Sequence, residues 1–329
     1  DLLKLLTKED LVPAAADRVV FLIPPILMVA VVILTLAVIP LARGTFLADL
    51  NIGVLFIIAL GTMTTLAIFM AGWSSGNKYA MFGAMRGVAQ LISYEIPVVL
   101  VVGAILLLSG SMSMTRIAEA QGFLRGQGGE VVQYGLPFLL LQPLGLLIYL
   151  VGTSAEMNRT PFDIVEAESE IIAGYHIEYS GTRFALVQLA EFAAVLTSSA
   201  VAATLFLGGW SGPFLSGQLG ALWFLIKVLV LVFLFVWVRA TLPRLRIDQI
   251  MGLAWKFLFP LSLINLFVTA VEVYFWPHPS IAQLVFMVII NWAVALGLVW
   301  LLGNLVRDRA REPRQMAGVV PPATSVVKG

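Results

Sequence analysis

Leu219-Gly-Ala-Leu-Trp-Phe-Leu-Ile-Lys-Val-Leu-Val-Leu-Val-Phe-Leu-Phe-Val-Trp-Val-Arg-Ala240 decides the fold class. As a helix, such a run is long enough to cross a hydrocarbon layer of about 30 Å. Apolar runs of this kind recur at 19–40, 51–71, 87–109, 134–154, 183–207, 254–276 and 281–304, separated by charged or Gly/Pro-bearing segments. The expectation is an all-α, polytopic membrane protein with eight transmembrane helices. Composition agrees: 60% of residues are hydrophobic and 12% charged, against roughly 25% charged in globular domains. Pro24, Pro25, Pro97, Pro137 and Pro143 fall inside spans, where neighbouring helices can satisfy the freed carbonyls. Residues 1–18 carry Lys4 and Lys8 among leucines, the pattern of an amphipathic helix lying in the membrane interface. Residues 19–304 then form one transmembrane domain, and 305–329 a polar tail.

Lys and Arg fix the expected orientation. Lys4, Lys8, Arg18, Lys78, Arg86, Arg159, Arg183, Arg239, Arg244, Arg246, Lys256 and the tail arginines fall on one side, and only Arg43, Arg116 and Arg125 on the other. The positive-inside bias places both ends and the loop 155–182 on the cytoplasmic side of a multi-pass chain. The net charge of +1 is spread between spans and gives no nucleic-acid signal. The chain has no Cys, which excludes thiolate-bound iron–sulfur clusters, disulfides and Cys-ligated zinc. With His176 and His278 alone, neither a bis-His haem nor a metal site is expected. No phosphate-cradling loop and no nucleophile triad occurs, so the chain has no visible catalytic machinery of its own.

The loop between the fourth and fifth expected spans is chemically richer. It reads Glu156-Met-Asn-Arg-Thr-Pro-Phe-Asp-Ile-Val-Glu-Ala-Glu-Ser-Glu170, and continues to His176 and Glu178. So much negative charge at a membrane edge repels itself unless a cation or a proton is handled there. If the stretch from Asp163 is helical, Asp163, Glu166 and Glu170 share one face and Glu168 points away. Pro161 would start that helix, and Arg159 would orient the carboxylates.

Four spans carry an ionisable residue inside: Glu95, Glu191, Lys227 and Glu272. Such residues face a bundle interior and mark an ion or proton path, or else serve as buried polar contacts between helices. At 1.5 Å per residue, Glu95 and Glu191 each lie roughly 12 Å below the cytoplasmic ends of their spans, so they share a depth. Lys227 lies about 18 Å from its cytoplasmic end, near the midplane. Glu272 falls near the far surface, where it can snorkel. The residues thus form a ladder from the acidic loop through Glu156 to Glu95 and Glu191, and then Lys227.

The loop, followed by Gly174-Tyr-His-Ile-Glu-Tyr179, resembles the signature of the H subunits of respiratory complex I, a family of membrane components of NADH:quinone oxidoreductase. Further matches keep the family's order: Gly72-Trp-Ser-Ser-Gly-Asn-Lys-Tyr79, Ile92-Ser-Tyr-Glu-Ile-Pro97, Gln188-Leu-Ala-Glu191, Phe206-Leu-Gly-Gly-Trp210, Trp237-Val-Arg-Ala-Thr241 and Arg244-Leu-Arg-Ile-Asp-Gln249. The resemblance implies a subunit that joins the membrane arm to the hydrophilic redox arm with its quinone-site and iron–sulfur subunits. It implies quinone as substrate, no cofactor bound in this chain, and no activity for the chain alone. It also implies a proton path through Glu95 and Glu191, to which the ladder adds Glu156 and Lys227, beneath a quinone chamber walled by the loop with Arg159, Asp163, Glu166, Glu168, Glu170 and Glu178. Family members open with a further transmembrane helix and a basic Met-Gly-Pro-Asn-Arg loop. This chain opens at Asp1 without either, so a preceding segment, truncated or in a separate chain, is expected. The homologous component of a membrane-bound hydrogenase and an independent proton channel or secondary transporter are the competing readings.

Overall fold

The computed structural model describes residues 2–121, 135–165, 174–212, 218–277 and 279–316, with the backbone alone for Leu2, Leu3, Leu6 and 301–316. Among the described residues every regular element is helical. In chain order these are α1 (Leu2–Thr7), α2 (Arg18–Val38), α3 (Gly53–Ser74), α4 (Lys78–Ser109), α5 (Met114–Ala120), α6 (Phe138–Leu141) and α7 (Pro143–Glu156). A 3-10 turn, Gly174–His176, precedes α8 (Gly181–Phe206) and α9 (Gly220–Thr241). Then follow α10 (Ile247–Leu253), a π turn (Ala254–Leu258), α11 (Phe259–Phe275) and α12 (Ile281–Met316).

Seven helical stretches are long and apolar enough to cross a membrane: α2, α3, α4, α8, α9, the continuous Ile247–Phe275, and Ile281–Trp300 within α12. The fourth expected span, 134–154, is where the count of eight meets a difference. It is split into α6 and the 14-residue α7, with Gln142 non-helical between them at φ −132° and ψ 57°. The break precedes Pro143, which lacks an N–H and whose ring crowds the carbonyl four residues back. The side chain of Gln142 fills the gap, accepting from Asn265 Nδ2 at 2.6 Å and donating to Thr269 Oγ1 at 2.6 Å. Pro260 accompanies a related disturbance within Ile247–Phe275, where the π turn ends at Leu258, just ahead of it.

Capping explains other boundaries. The side chain of Asp17 accepts from the N–H groups of Val19 and Val20 and starts α2. Asn77 accepts from the Tyr79 N–H at 2.9 Å, so α4 begins at Lys78 rather than near Gly87 as expected. The added turns are held by packing. A methyl at Gly72 would overlap Ala84, and one at Gly83 would lie 2.8 Å from Gly174 Cα. At the N-terminus the helical part is α1 alone; the chain from Lys8 to Asp17 is irregular. That segment is fastened to the start of α8, where the Leu11 N–H donates to Ser180 Oγ at 2.9 Å and Arg183 pairs with Asp10 at 3.2 Å.

α4 is the hub, packed against α3, α7, α11 and the 3-10 turn, while α8 packs against α2 and α9. One buried cluster gathers Val101, Ile105, Ile148 and Phe206; a second gathers Phe21, Ile68, Leu91 and Tyr175. Outward faces stay apolar, as Leu222, Leu225, Leu229 and Phe233 on α9 illustrate, which suits a hydrocarbon surround.

Candidate functional site

A cavity of about 210 Å³ opens between α2, α3, α4, α7 and α8. Its wall follows helical spacing on each element. On α4 it is built by Leu91, Glu95, Val98, Val99 and Val102; on α8 by Glu191, Ala194, Thr197, Ser198 and Val201. On α3 the same rhythm of three and four brings Gly61, Thr64, Thr65 and Ile68 to the space. Tyr149, Thr153 and Glu156 of α7 close it, with Met157, Asn158 and Tyr175 at one end. Glu95, Glu156 and Glu191, from three different helices, therefore face a single space. The common depth inferred for Glu95 and Glu191 is realised as a common cavity.

The three carboxylates are held differently. Glu191 Oε1 accepts from the Tyr175 hydroxyl at 2.8 Å. Glu95 lies beside α3, with its Oε1 3.9 Å from where a methyl on Gly61 would sit. Among the described residues Glu95 and Glu156 make no side-chain hydrogen bond to the protein, so both remain available to water or a proton in the cavity.

The loop differs in part from its expected form. Residues 160–165 form turns with no helix, so the helix expected to start at Pro161 and to carry Asp163 is not there. Glu166, Glu168 and Glu170 lie outside the described residues, and so does the expected shared face. Arg159 is placed over the Phe192 ring of α8, with its guanidinium carbon 4.5 Å from the ring centre, and its buried Nη2 has no hydrogen-bond partner among the described residues. Glu178 accepts from Asn77 Nδ2 at 2.7 Å, tying the end of the loop to the α3–α4 turn. The first half of the loop is tied to α4 by Gln90, whose Nε2 donates to the carbonyls of Ala155 at 2.8 Å and Phe162 at 3.0 Å. Tyr179 stacks on Phe21 with ring centres 4.1 Å apart, and its hydroxyl donates to the Phe21 carbonyl at 3.1 Å. Burial pushes the Tyr179 phenol up to about 12, so it remains a donor across the physiological range.

Two of the intramembrane charges do not reach the cavity. Lys227 donates to the carbonyls of Leu207, Gly209 and Ser211 at 2.5 to 2.8 Å. Gly208 and Gly209 adopt φ of +74° and +52°, which turns the chain at the end of α8 back on itself beside the ammonium. A cation at a helix C-terminus with three carbonyl acceptors is fully committed there. Glu272 is 4% exposed and does not snorkel: Asn291 Nδ2 of α12 donates to both its carboxylate oxygens at 3.0 and 2.8 Å. A carboxylate so close to the end of α11 stays inside because α12 offers it a donor.

Sequence reading missed Asn158 and Tyr175. Asn158 has φ +50°, is buried, and lines the cavity with an Oδ1 that has no hydrogen-bond partner among the described residues. Its signal was available, since Asn is among the few residues that adopt the left-handed region readily. Tyr175 gave no such signal, because an aromatic residue beside a membrane reads equally well as an interfacial anchor.

Comparison with known proteins gives the chain a family. A family model described as NADH dehydrogenase matches residues 1–270. The NADH-quinone oxidoreductase H subunit of Dehalococcoides mccartyi strain CBDB1 is 50% identical over 307 residues, covering 93% of this chain and 82% of the relative. The protein of the same name from Anoxybacillus flavithermus is 45% identical over 271 residues, 82% of this chain and 78% of its own length. That from Carboxydothermus hydrogenoformans is 43% identical over 277 residues, with 84% and 76% covered. Both the extent of the match and the loop and helix motifs place this multi-pass membrane chain in the NADH dehydrogenase family, among the H subunits of NADH-quinone oxidoreductases.

Proposed function

We propose that this chain walls part of the quinone chamber of an NADH-quinone oxidoreductase and couples quinone reduction to proton translocation. The observation that carries the reading is the convergence of Glu95, Glu156 and Glu191 on one cavity at the membrane edge of the acidic loop. Reducing a quinone takes up two protons, and the negative charge that develops needs groups nearby that can answer it. Asp163, the described loop carboxylate that follows Glu156 most closely in sequence, together with Glu166, Glu168, Glu170 and Glu178, forms the loop side of that chamber. Glu156 then passes the change in charge to Glu95 and Glu191, because carboxylates sharing a poorly solvated space cannot all stay ionised at little cost. Lys227 leaves the path in this reading, since its donors are taken by the end of α8. Quinone is the substrate and this chain binds no cofactor. Its partners are the other membrane-arm subunits and the quinone-site and iron–sulfur subunits of the redox arm.

The test uses the assembled complex. Replacing Glu95 or Glu191 by Gln keeps shape and hydrogen bonding but removes the titrating group. Quinone-linked proton translocation is expected to fall about tenfold or more, the rate equivalent of roughly 1.4 kcal/mol or above. NADH oxidation by an artificial acceptor, which bypasses the membrane, should be unchanged. Loss of both activities would signal failed assembly, and loss of neither would remove the carboxylates from function. The same reading places 155–182 and both ends on the cytoplasmic face of the bacterial inner membrane. Single Cys residues at Thr182 and Ser280, both exposed, should then react with an impermeant thiol reagent from opposite faces. Labelling of both from one face would contradict the orientation.

A further inference from the structure

The 3-10 turn Gly174–His176 connects the acidic loop to α8, and it delivers one side chain into the cavity. Tyr175 is 1% exposed, and its hydroxyl donates to Glu191 Oε1 at 2.8 Å. The position of that hydroxyl is set by the turn, and the turn is set by contacts outside the cavity. Gly83 lets α4 approach so closely that an added Cβ would lie 2.8 Å from Gly174 Cα and 3.0 Å from the Tyr175 nitrogen. His176 packs edge-on against the Tyr175 ring with centres 5.0 Å apart, and against Phe184 of α8 at 5.4 Å. Beyond the turn, Glu178 is held by Asn77 and Tyr179 by Phe21. A ring seated so tightly follows the placement of the turn.

Building on the coupling reading above, we propose that Tyr175 is the positioning residue that holds the Glu191 carboxylate and makes its charge state depend on the placement of the Gly174–His176 turn. A phenol is suited to this. It donates to an ionised carboxylate, and the same oxygen can accept from a protonated one, so the pair stays joined in either state. A hydrogen bond to a charged acceptor is stronger than a neutral one, and withdrawing the hydroxyl acts most on the ionised form. Displacing the turn by a fraction of its present fit is therefore felt at Glu191 without any loop carboxylate entering the membrane.

Infrared redox-difference spectroscopy on the whole complex tests this. The Glu191 band is first identified by its loss in Glu191→Gln. Tyr175→Phe, which keeps the ring and its packing, should shift that band and lower quinone-linked proton translocation about tenfold, with artificial-acceptor activity intact. Gly83→Ala moves the hydroxyl without removing it, and should displace the same band by a smaller amount. If Tyr175→Phe does not assemble, Gly83→Ala alone decides. An unshifted Glu191 band in the variants that assemble overturns the inference. Wild-type translocation in Glu191→Gln would instead overturn the coupling reading, which is a separate observation from the band position.

Discussion

Two groups of polar side chains lie inside this apolar bundle, and they are arranged in opposite ways. Around α11, Gln142, Asn265 and Thr269 bond to one another, and Asn291 bonds to Glu272, each at 2.6 to 3.0 Å. Around the cavity, Glu95, Glu156 and Glu191 come from three helices and face open space. The first group is closed: every member is spent on another helix, which is how buried polar groups hold elements in register. In the second group Glu95 and Glu156 keep oxygen atoms for something other than the protein, while Glu191 is shared with Tyr175. A charge in a membrane helix thus says little until its partners are known.

If the contrast is real, substitutions on its two sides should fail in different assays. The largest effect is expected for Glu156→Gln combined with Glu95→Gln, which removes two titrating groups from the cavity wall. Proton translocation by the complex should drop by more than tenfold, measured as acidification driven by NADH in vesicles. Asn291→Leu should act on stability instead, because it leaves the Glu272 carboxylate buried without its donor. A cost of about 1–3 kcal/mol is expected, visible as earlier thermal loss of the protein from the complex, with protons moved per electron unchanged. Lys227→Met should behave similarly at the end of α8, where three carbonyls lose their shared donor; retained pumping stoichiometry would support its exclusion from the path. Glu272→Gln is the mildest, at under about 1 kcal/mol, since the amide can still accept from Asn291.

The helical membrane fold was legible because apolar runs of about twenty residues have few other solutions. What sequence did not reveal was local and had local causes. Pro143 split a span that hydropathy alone joins, and the repair came from Asn265 and Thr269, more than a hundred residues away. Asn77 and the small residues Gly72 and Gly83 lengthened α4 toward the loop, a packing effect that a hydropathy window cannot register. For the site, equal depth correctly joined Glu95 to Glu191. Lys227, placed on the same ladder by depth, reaches instead to the carbonyls at the end of α8, because depth says nothing about which way a side chain reaches. The helix expected from Pro161 failed because 160–165 are turns. Tyr175 stayed unread because its role depends on a neighbour sixteen residues away on another element.

The most direct measurement compares Glu95→Gln with Glu272→Gln in the same complex, reconstituted into sealed vesicles, by counting protons moved per quinone reduced. The cavity carboxylate should lose at least nine-tenths of the pumped protons, a tenfold effect, while the Asn291-bound carboxylate keeps the wild-type ratio. Equal ratios in the two variants, whether both intact or both lost, would contradict the division between open and closed polar groups on which this account stands.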